Sequence, residues 1–158
     1  MVEFKQIGTI NSPYSDPAGM PIQPAGAVGS RGTVEVVAEY AAGLQDLDGF
    51  SHIILLYEFH RSRGFDLQVV PFLDSSAHGV FATRSPRRPN PLGISVVRLE
   101  RIDGAVIHVL DIDVLDGTPL LDIKPYVPVF DSHGEVRIGW LERNGEAVSE
   151  HRSDARFR

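Results

Sequence analysis

Three arginines and an asparagine lie within seven residues of one another, on a segment interrupted by prolines. They are Arg84, Arg87, Arg88 and Asn90, in segment 79–93. Guanidinium groups bind phosphates, carboxylates and base edges through paired hydrogen bonds. Because proline fixes the backbone angle φ, a loop of this composition loses little freedom when a ligand binds. The segment therefore predicts a rigid loop that binds an anion, and a solvated surface turn is the less favoured alternative.

A second candidate segment carries four aspartates within twelve residues, namely Asp111, Asp113, Asp116 and Asp122. Carboxylates accept hydrogen bonds from the paired hydroxyls of a ribose, and they also bind cations. A β-turn at Asp116–Gly117 with solvated charges around it explains the same residues at least as well. Both interpretations remain open from the residues alone.

Two smaller candidates are Gln23, within the loop segment 20–24, and His60 with Arg61, which follow a strongly apolar run. None of the six histidines is spaced as a metal-ligand pair, so we expect no metal. The glycine motifs of dinucleotide, phosphate-loop and hydrolase sites are absent, which argues against Rossmann cofactor binding and hydrolase triads. Cysteine is also absent, which excludes disulfides, thiolate zinc sites and cysteine nucleophiles.

The charge distribution is uneven along the 158 residues. The chain has 15 lysines and arginines against 21 acidic residues, a net charge of −6 that argues against a general nucleic-acid coat. Segment 59–98 nevertheless holds six arginines against two aspartates, so one face can attract an anionic ligand. No signal peptide or run of about 18 apolar residues is present. We therefore expect a cytoplasmic protein without a membrane partner.

Short runs rich in Val, Ile and Phe must position these residues, and Gly and Pro separate the runs. They predict strands over 4–10, 32–40, 51–59, 80–83, 93–102, 105–115, 120–123 and 136–141, with a long loop over 11–30. In the strand over 93–102 we expect Ile94 and Val96 to face inward, with Val97 as a further candidate. Closely spaced strands with almost no room for helices predict an all-β, mainly antiparallel fold, a barrel or a sandwich. The predicted domain covers residues 1–140, followed by a polar tail over 141–158.

The arginine segment also carries a resemblance. Its sequence Thr-Arg-Ser-Pro-Arg-Arg-Pro-Asn-Pro-Leu-Gly-Ile-Ser, residues 83–95, resembles the signature of the TsaA-like (TrmO) family. Segments 7–14, 43–52 and 115–126 match the same family in the same order. The resemblance covers about residues 4–131. It implies a single β-barrel and an S-adenosylmethionine-dependent methyltransferase acting on N6 of threonylcarbamoyladenosine, beside the tRNA anticodon. It also implies a homodimer with the cofactor near the subunit interface.

The resemblance further assigns site residues. The implied cofactor contacts are Pro21, Ile22, Gln23, His60, Arg61, Arg84, Ile94, Leu115, Asp116, Gly117 and Thr118. The implied contacts to tRNA are Arg87, Arg88, Asn90, Lys124 and Tyr126. Removal of the N6 proton requires a base, for which Asp113, Asp116 and His60 are the candidates.

Two departures from the family pattern affect these expectations. Ile22 stands where the family has an arginine, which puts one contact in question. Bacterial members carry an additional C-terminal domain, whereas this sequence ends at Arg158. We expect a dimer partner, the arginines of the tail or a different substrate to compensate. The alternatives are a barrel that methylates a small molecule and a non-enzymatic module that binds RNA or a protein partner.

Overall fold

A computed structural model describes residues 1–21 and 24–143. Six of its strands close into an antiparallel barrel in the order β1-β2-β7-β6-β3-β8, and β8 pairs with β1 to complete the ring. Strands β4 and β5 form a separate two-stranded sheet. The strands are β1 Gly8–Asn11, β2 Arg31–Val36, β3 His52–Glu58, β4 Gln68–Val69, β5 His78–Gly79, β6 Leu92–Asp103, β7 Val106–Leu110 and β8 Thr118–Pro125. The fold is all-β and mainly antiparallel, as predicted.

Helical structure in the described residues is limited to segments of seven residues or fewer. The α-helix α1 covers Pro128–Asp131. Short 3₁₀ helices cover Pro24–Ala27, Ala38–Leu44, Leu47–Gly49, Val80–Ala82 and Gly139–Arg143. No helix among the residues described is long and apolar enough to cross a membrane.

The core fills the barrel interior with alternate residues of each strand. Side chains on successive strand positions point to opposite faces, so every second residue faces inward. The residues that are completely buried come from all six barrel strands and the segment after β7: Ile10, Val34, Ile53, Leu55, Val97, Ile107, Val109, Ile112 and Leu120. Closure leaves no barrel strand with an unpaired edge.

Strand direction brings three long connections to one end of the barrel. Strands β1, β3 and β7 finish at this end, and β2, β6 and β8 begin there. The connections 12–30, 59–91 and 111–117 therefore meet, and we call this the site end. The turn at the opposite end between β6 and β7 contains Gly104 with φ of 61°, which confirms the predicted turn there.

Two predicted strands are wrong. Segment 80–83 contains the 3₁₀ helix Val80–Ala82, and segment 136–141 contains part of the 3₁₀ helix Gly139–Arg143. Short apolar runs do not distinguish a strand from a helical turn. Here the two helical segments contact each other instead. The Trp140 ring stacks on His78 with 4.8 Å between ring centroids, and Trp140 Nε1 donates to the Ala82 carbonyl at 2.8 Å.

The inward direction predicted for Ile94 and Val96 of β6 is also wrong, and of the three candidates only Val97 faces inward. Ser95 and Val97 are buried, whereas Ile94 is 45% exposed on the outside of the barrel. Gly93 faces inward against the Tyr57 ring, and a Cβ atom added at Gly93 would lie 2.2 Å from Cε2 of that ring. The small glycine thus fixes the direction of the strand, because the buried Tyr57 ring occupies the space that a side chain would need.

We expect Gly93→Ala to destabilise the fold by roughly 1–3 kcal/mol, since the buried ring must move to admit the methyl group. Urea denaturation measures the change. Gly43→Ala is the matched control, because no atom lies within 4 Å of a Cβ added there. Equal stability of the Gly93 and Gly43 variants would contradict this account of the packing.

Candidate functional site

Two aspartates of segment 111–117 hold the two ends of loop 12–30. Asp116 Oδ1 accepts a hydrogen bond from the Ser12 backbone N–H at 2.9 Å, and the Asp116 N–H donates to the Tyr14 carbonyl at 2.7 Å. Asp111 Oδ1 accepts from the Gly29 N–H at 2.8 Å. The loop that carries the predicted cofactor segment is thus fastened to the loop that carries the acidic segment.

Asp111 also binds Arg98 through both carboxylate oxygens. Arg98 Nη2 donates to Oδ1 at 3.0 Å, and its Nε donates to Oδ2. The hydrogen bond from Arg98 is the main reason that the pKa of Asp111 lies below its ordinary value. Asp111 has a left-handed φ of 68°, a conformation that aspartate tolerates better than most residues. The Arg98–Asp111 pair therefore supports the loops structurally.

The long connection 59–91 contacts loop 12–30 and folds back on itself. Arg61 Nη1 donates to the Ser15 carbonyl at 3.0 Å, which joins the two connections. Ser62 Oγ donates to the Pro86 carbonyl at 3.0 Å, and Arg87 forms a salt bridge of 3.2 Å with Asp66. The beginning of this connection thus supports the arginine segment near its end.

Hydrogen bonds within the arginine segment hold its own backbone. Arg88 Nη1 donates to the carbonyls of Thr83 and Ser85 at 2.9 and 3.2 Å. Thr83 Oγ1 donates to the Val80 carbonyl at 2.8 Å. Arg87 and Arg88 therefore have partners within the chain, and their role in binding an anion stays a prediction. Arg84 is exposed on the same segment.

A buried chain of three polar side chains lies inside the barrel at the site end. The Tyr57 hydroxyl is 2.8 Å from Ser95 Oγ, and Ser95 Oγ donates to Asp113 Oδ1 at 2.6 Å. Burial raises the pKa of Asp113 to about 7, against smaller opposing effects of Ser95 and of the Arg84 guanidinium. Burial and, secondly, the Asp113 charge raise the pKa of Tyr57 far above its ordinary value, so the phenol stays protonated.

Sequence reasoning named Asp113 but missed Tyr57 and Ser95. The incorrect inward direction assigned to β6 placed Ser95 on the outer face. The sequence did carry a usable signal, because Val97 is apolar and shares one strand face with Gly93 and Ser95. Reading them as the inward set would have predicted a polar group in the barrel.

The structure brings most of the predicted cofactor residues to the site end. His60 and Arg61 follow β3, Arg84 lies on the connection to β6, and Ile94 is on the outer face near the start of β6. Pro21 is buried in loop 12–30, and the turn over 115–118 precedes and begins β8, with Gly117 at φ of 78°. The turn predicted at Asp116–Gly117 is confirmed. Ile22 and Gln23 lie outside the described residues.

Two predicted substrate residues lie elsewhere. Lys124 and Tyr126 are at the far end of β8, where the Tyr126 N–H donates to the His52 carbonyl at 3.1 Å. Strand β3 spans about 20 Å from His52 to Glu58, so Tyr126 lies about that far along the strand from the arginine segment, whereas Asp111 is close enough to His52 to be affected by its charge. Arg87, Arg88 and Asn90 are at the site end, so one subunit does not bring all five residues together.

We expect the charge of Asp113 to make stability depend on pH. An aspartate in the unfolded chain ionises near pH 4, whereas Asp113 in the folded protein ionises at about 7. Between these values the folded state binds more protons, so a rise in pH destabilises the wild-type protein through this group. Relative to Asp113→Asn, wild type should lose roughly 1 kcal/mol or more between pH 4 and 8 in denaturant titrations.

Asp111→Asn provides the control, because its pKa shift has the opposite sign. The folded protein holds the pKa of Asp111 below its ordinary value, so below about pH 4 the unfolded chain takes up protons first, and the advantage of wild type over this variant should decrease as the pH falls. Parallel pH profiles for the two variants would contradict the environments described for these carboxylates.

The chain matches a known domain family over most of its length. Residues 9–132 match the domain family described as tRNA-methyltransferase O N-terminal domain. The chain is 53% identical over 157 residues to a probable S-adenosyl-L-methionine-binding protein of Pyrococcus abyssi, covering 99% of this chain and 85% of that protein. It is 39% identical over 140 residues to the tRNA (adenine(37)-N6)-methyltransferase of Escherichia coli, covering 82% of this chain.

The fold also matches solved structures of TrmO. The crystal structure of TrmO from Pseudomonas aeruginosa matches with a TM-score of 0.75 and 38% identity, over 89% of this chain and 62% of that one. The chain spans 60% of the Escherichia coli enzyme and 38% of a related protein of Archaeoglobus fulgidus. The match covers most of the chain in sequence and in structure, and it includes all three connections at the site end. This chain therefore belongs to the family of the tRNA-methyltransferase O N-terminal domain.

Proposed function

We propose that this chain is an S-adenosylmethionine-dependent methyltransferase that acts on N6 of threonylcarbamoyladenosine next to the tRNA anticodon. The observation that carries this function is the family match over residues 9–132, which contains every described element of the site end. Relatives from Escherichia coli, mouse and human are named tRNA (adenine(37)-N6)-methyltransferases. The substrate is the one that the arginine signature of the family implies.

The side chains at the site end suit this cofactor. S-adenosylmethionine supplies a methyl group on a positively charged sulfur, and it also carries an ammonium, a carboxylate and an adenosine. The Arg84 guanidinium matches the carboxylate, and Asp116 at the exposed turn can accept ribose hydroxyls. The exposed side chain of Ile94 offers an apolar surface. We assign cofactor binding to these residues together with His60, Arg61, Pro21 and the 115–118 turn, and to Ile22 and Gln23 by family resemblance.

The protein's main contribution to methyl transfer is orientation. Holding two reactants in line can supply roughly 7–11 kcal/mol of the barrier. The loop-to-loop hydrogen bonds of Arg61, Asp111 and Asp116 fix the connections that must hold the reactants. They make the site a preformed one, since the connections are tied together by the chain itself.

The three candidate bases differ in how a nucleoside can reach them. Asp116 is exposed and His60 is half-buried, whereas Asp113 is 8% exposed. The N6 atom belongs to a bulky modified nucleoside, which reaches an exposed or half-buried group more easily than a carboxylate enclosed in the barrel with Ser95 bound to it. We assign proton acceptance to the Asp116 carboxylate or to a His60 ring nitrogen, and we assign Asp113 a different role.

tRNA binding is assigned to the arginine segment. Arg87 and Arg88 are partly exposed despite their partners within the chain, and Asn90 is exposed beside them. Phosphates attract such groups strongly at low salt. Lys124 and Tyr126 lie about 20 Å away along the barrel, so any contact they make is with a more distant part of the tRNA.

A homodimer in the cytoplasm is part of the proposal. Large apolar side chains are exposed through the connection 59–91 and at the start of β6, and such surface is common where proteins associate. They are Phe65, Leu67, Val70, Phe81, Leu92 and Ile94. A partner covering this surface would adjoin the site end, as the family resemblance implies.

The proposed reaction is tested with purified protein, labelled S-adenosylmethionine and two tRNA pools, one carrying and one lacking the threonylcarbamoyl group. We expect nucleoside mass spectrometry to find the added methyl only on the modified adenosine. Methyl transfer to a small molecule alone would support the small-molecule alternative, and no binding of the cofactor would leave only a non-enzymatic module.

Arg87→Ala tests the contact with tRNA. We expect binding of tRNA to weaken severalfold and the affinity for the cofactor to stay unchanged. The slope of the logarithm of the tRNA binding constant against the logarithm of the salt concentration should decrease by about one, as for the loss of one phosphate contact. Arg101→Ala, which removes the same charge from β6 near the opposite end, is the control. Binding assays with tRNA and with the cofactor separate the two effects. Equal losses for both ligands would argue against this role of Arg87.

A further inference from the structure

Asp113 is a buried carboxylate to which the reaction as proposed gives no part. It is 8% exposed, and its Oδ1 accepts one short hydrogen bond from Ser95. No salt bridge within 4 Å joins it to any residue that the structure describes. An asparagine could accept the same hydrogen bond without the cost of burying a charge. The presence of a carboxylate is therefore not explained by the fold.

The groups around Asp113 come from three elements. Tyr57 on β3 and Ser95 on β6 are neutral hydroxyls joined to it in one chain. Arg84, on the connection before β6, exerts a weaker attraction on both Asp113 and Tyr57. No other charged group affects Asp113 among the described residues. A cation that arrives with a ligand would therefore meet a carboxylate that the protein itself neutralises only in part.

Asp113 also lies beside the residues assigned to the cofactor. It is two residues before Leu115, where the 115–118 turn begins. Its hydrogen-bond donor Ser95 is on the inner face of β6, and the next residue toward the start of the strand, Ile94, is on the outer face. A negative charge here and the positive charge of Arg84 nearby form a pair of opposite charges at one end of the barrel. Such a pair suits a ligand that itself carries charges of both signs.

We propose that the Asp113 carboxylate is the counter-ion for a positively charged centre of the bound cofactor, held in place by Ser95 and Tyr57. This inference rests on the proposed function. The centre is either the sulfonium or the ammonium, and a counter-ion acts on both through space without direct contact. If it is the sulfonium, the attraction ends with methyl transfer, because sulfur then keeps the electron pair of the broken C–S bond and becomes neutral. The protein would then hold the methyl donor more tightly than the demethylated product.

Binding of such a cation is linked to the charge of Asp113. The pKa of this group is about 7, so its carboxylate becomes more populated as the pH rises from 6 to 8. Affinity for the ligand that carries the relevant cation should increase by up to about tenfold over this interval. A ligand without that cation should show no such increase from this group.

The test compares three ligands by calorimetry with wild type, Asp113→Asn and Ser95→Ala. The ligands are S-adenosylmethionine with both cations, S-adenosylhomocysteine with the ammonium only, and methylthioadenosine with neither. We expect Asp113→Asn to weaken S-adenosylmethionine binding roughly tenfold or more, and to leave methylthioadenosine binding unchanged. Ser95→Ala keeps the charge and should produce a smaller loss with the same ligand order.

The behaviour of S-adenosylhomocysteine identifies the cation. If Asp113→Asn leaves the affinity for S-adenosylhomocysteine unchanged, the partner of Asp113 is the sulfonium. If the substitution weakens binding of S-adenosylhomocysteine as much as binding of S-adenosylmethionine, the partner is the ammonium. Equal losses for all three ligands, or no loss for any, overturn the inference and assign Asp113 a structural role. A wild-type protein that binds none of the three overturns the proposed function and the inference with it. Urea denaturation of each variant confirms that it is folded before ligand is added.

Discussion

Closure of the barrel between β1 and β8 is the constraint on which the rest of the structure depends. The pairs from Gly8 with Leu120 to Ile10 with Thr118 fix the start of β8 beside the end of β1. Loop 12–30, which leaves β1, and the turn that enters β8 must then lie side by side. On its other side β1 pairs closely with β2, where a Cβ atom at Gly8 would lie 2.3 Å from the Glu35 carbonyl oxygen. A backbone atom cannot move aside as a flexible side chain can, so the tight approach requires glycine.

Hydrogen bonds between the loops then hold the connections that barrel closure places side by side. Backbone N–H groups in irregular connections need partners when they leave solvent, and carboxylates are strong acceptors for them. Asp111 and Asp116 supply these acceptors at the two ends of loop 12–30. The four aspartates of the acidic segment thus have different positions and partners. Two of its aspartates organise the loops, and between them Asp113 faces the barrel interior.

The sequence supported the fold class and the general position of the site for identifiable reasons. Alternating apolar residues are visible in β2 and β7, and Asp103–Gly104 is a turn of known geometry, so these elements were predictable. Barrel closure followed only from the family resemblance, because the strand pattern itself fits a sandwich equally well and no local feature indicates the pairing of β1 with β8. The partners of Arg87 and Arg88 were equally hidden, since Asp66 and the loop carbonyls meet them only through the folded connection.

Lys124 and Tyr126 belong to a continuous motif that extends along a whole strand. Segment 115–126 is a single family block, yet it contains all of β8, and a strand advances about 3.3 Å per residue. Its first residues therefore lie at one end of the barrel and its last residues at the other. A functional site can use both ends only if its ligand is about as long as the barrel or if a second subunit presents the far end. A small cofactor meets neither condition within one subunit, whereas a tRNA meets the first. The length of β8 thus separates the two proposed ligands, with the cofactor confined to the site end and the nucleic acid able to extend past it.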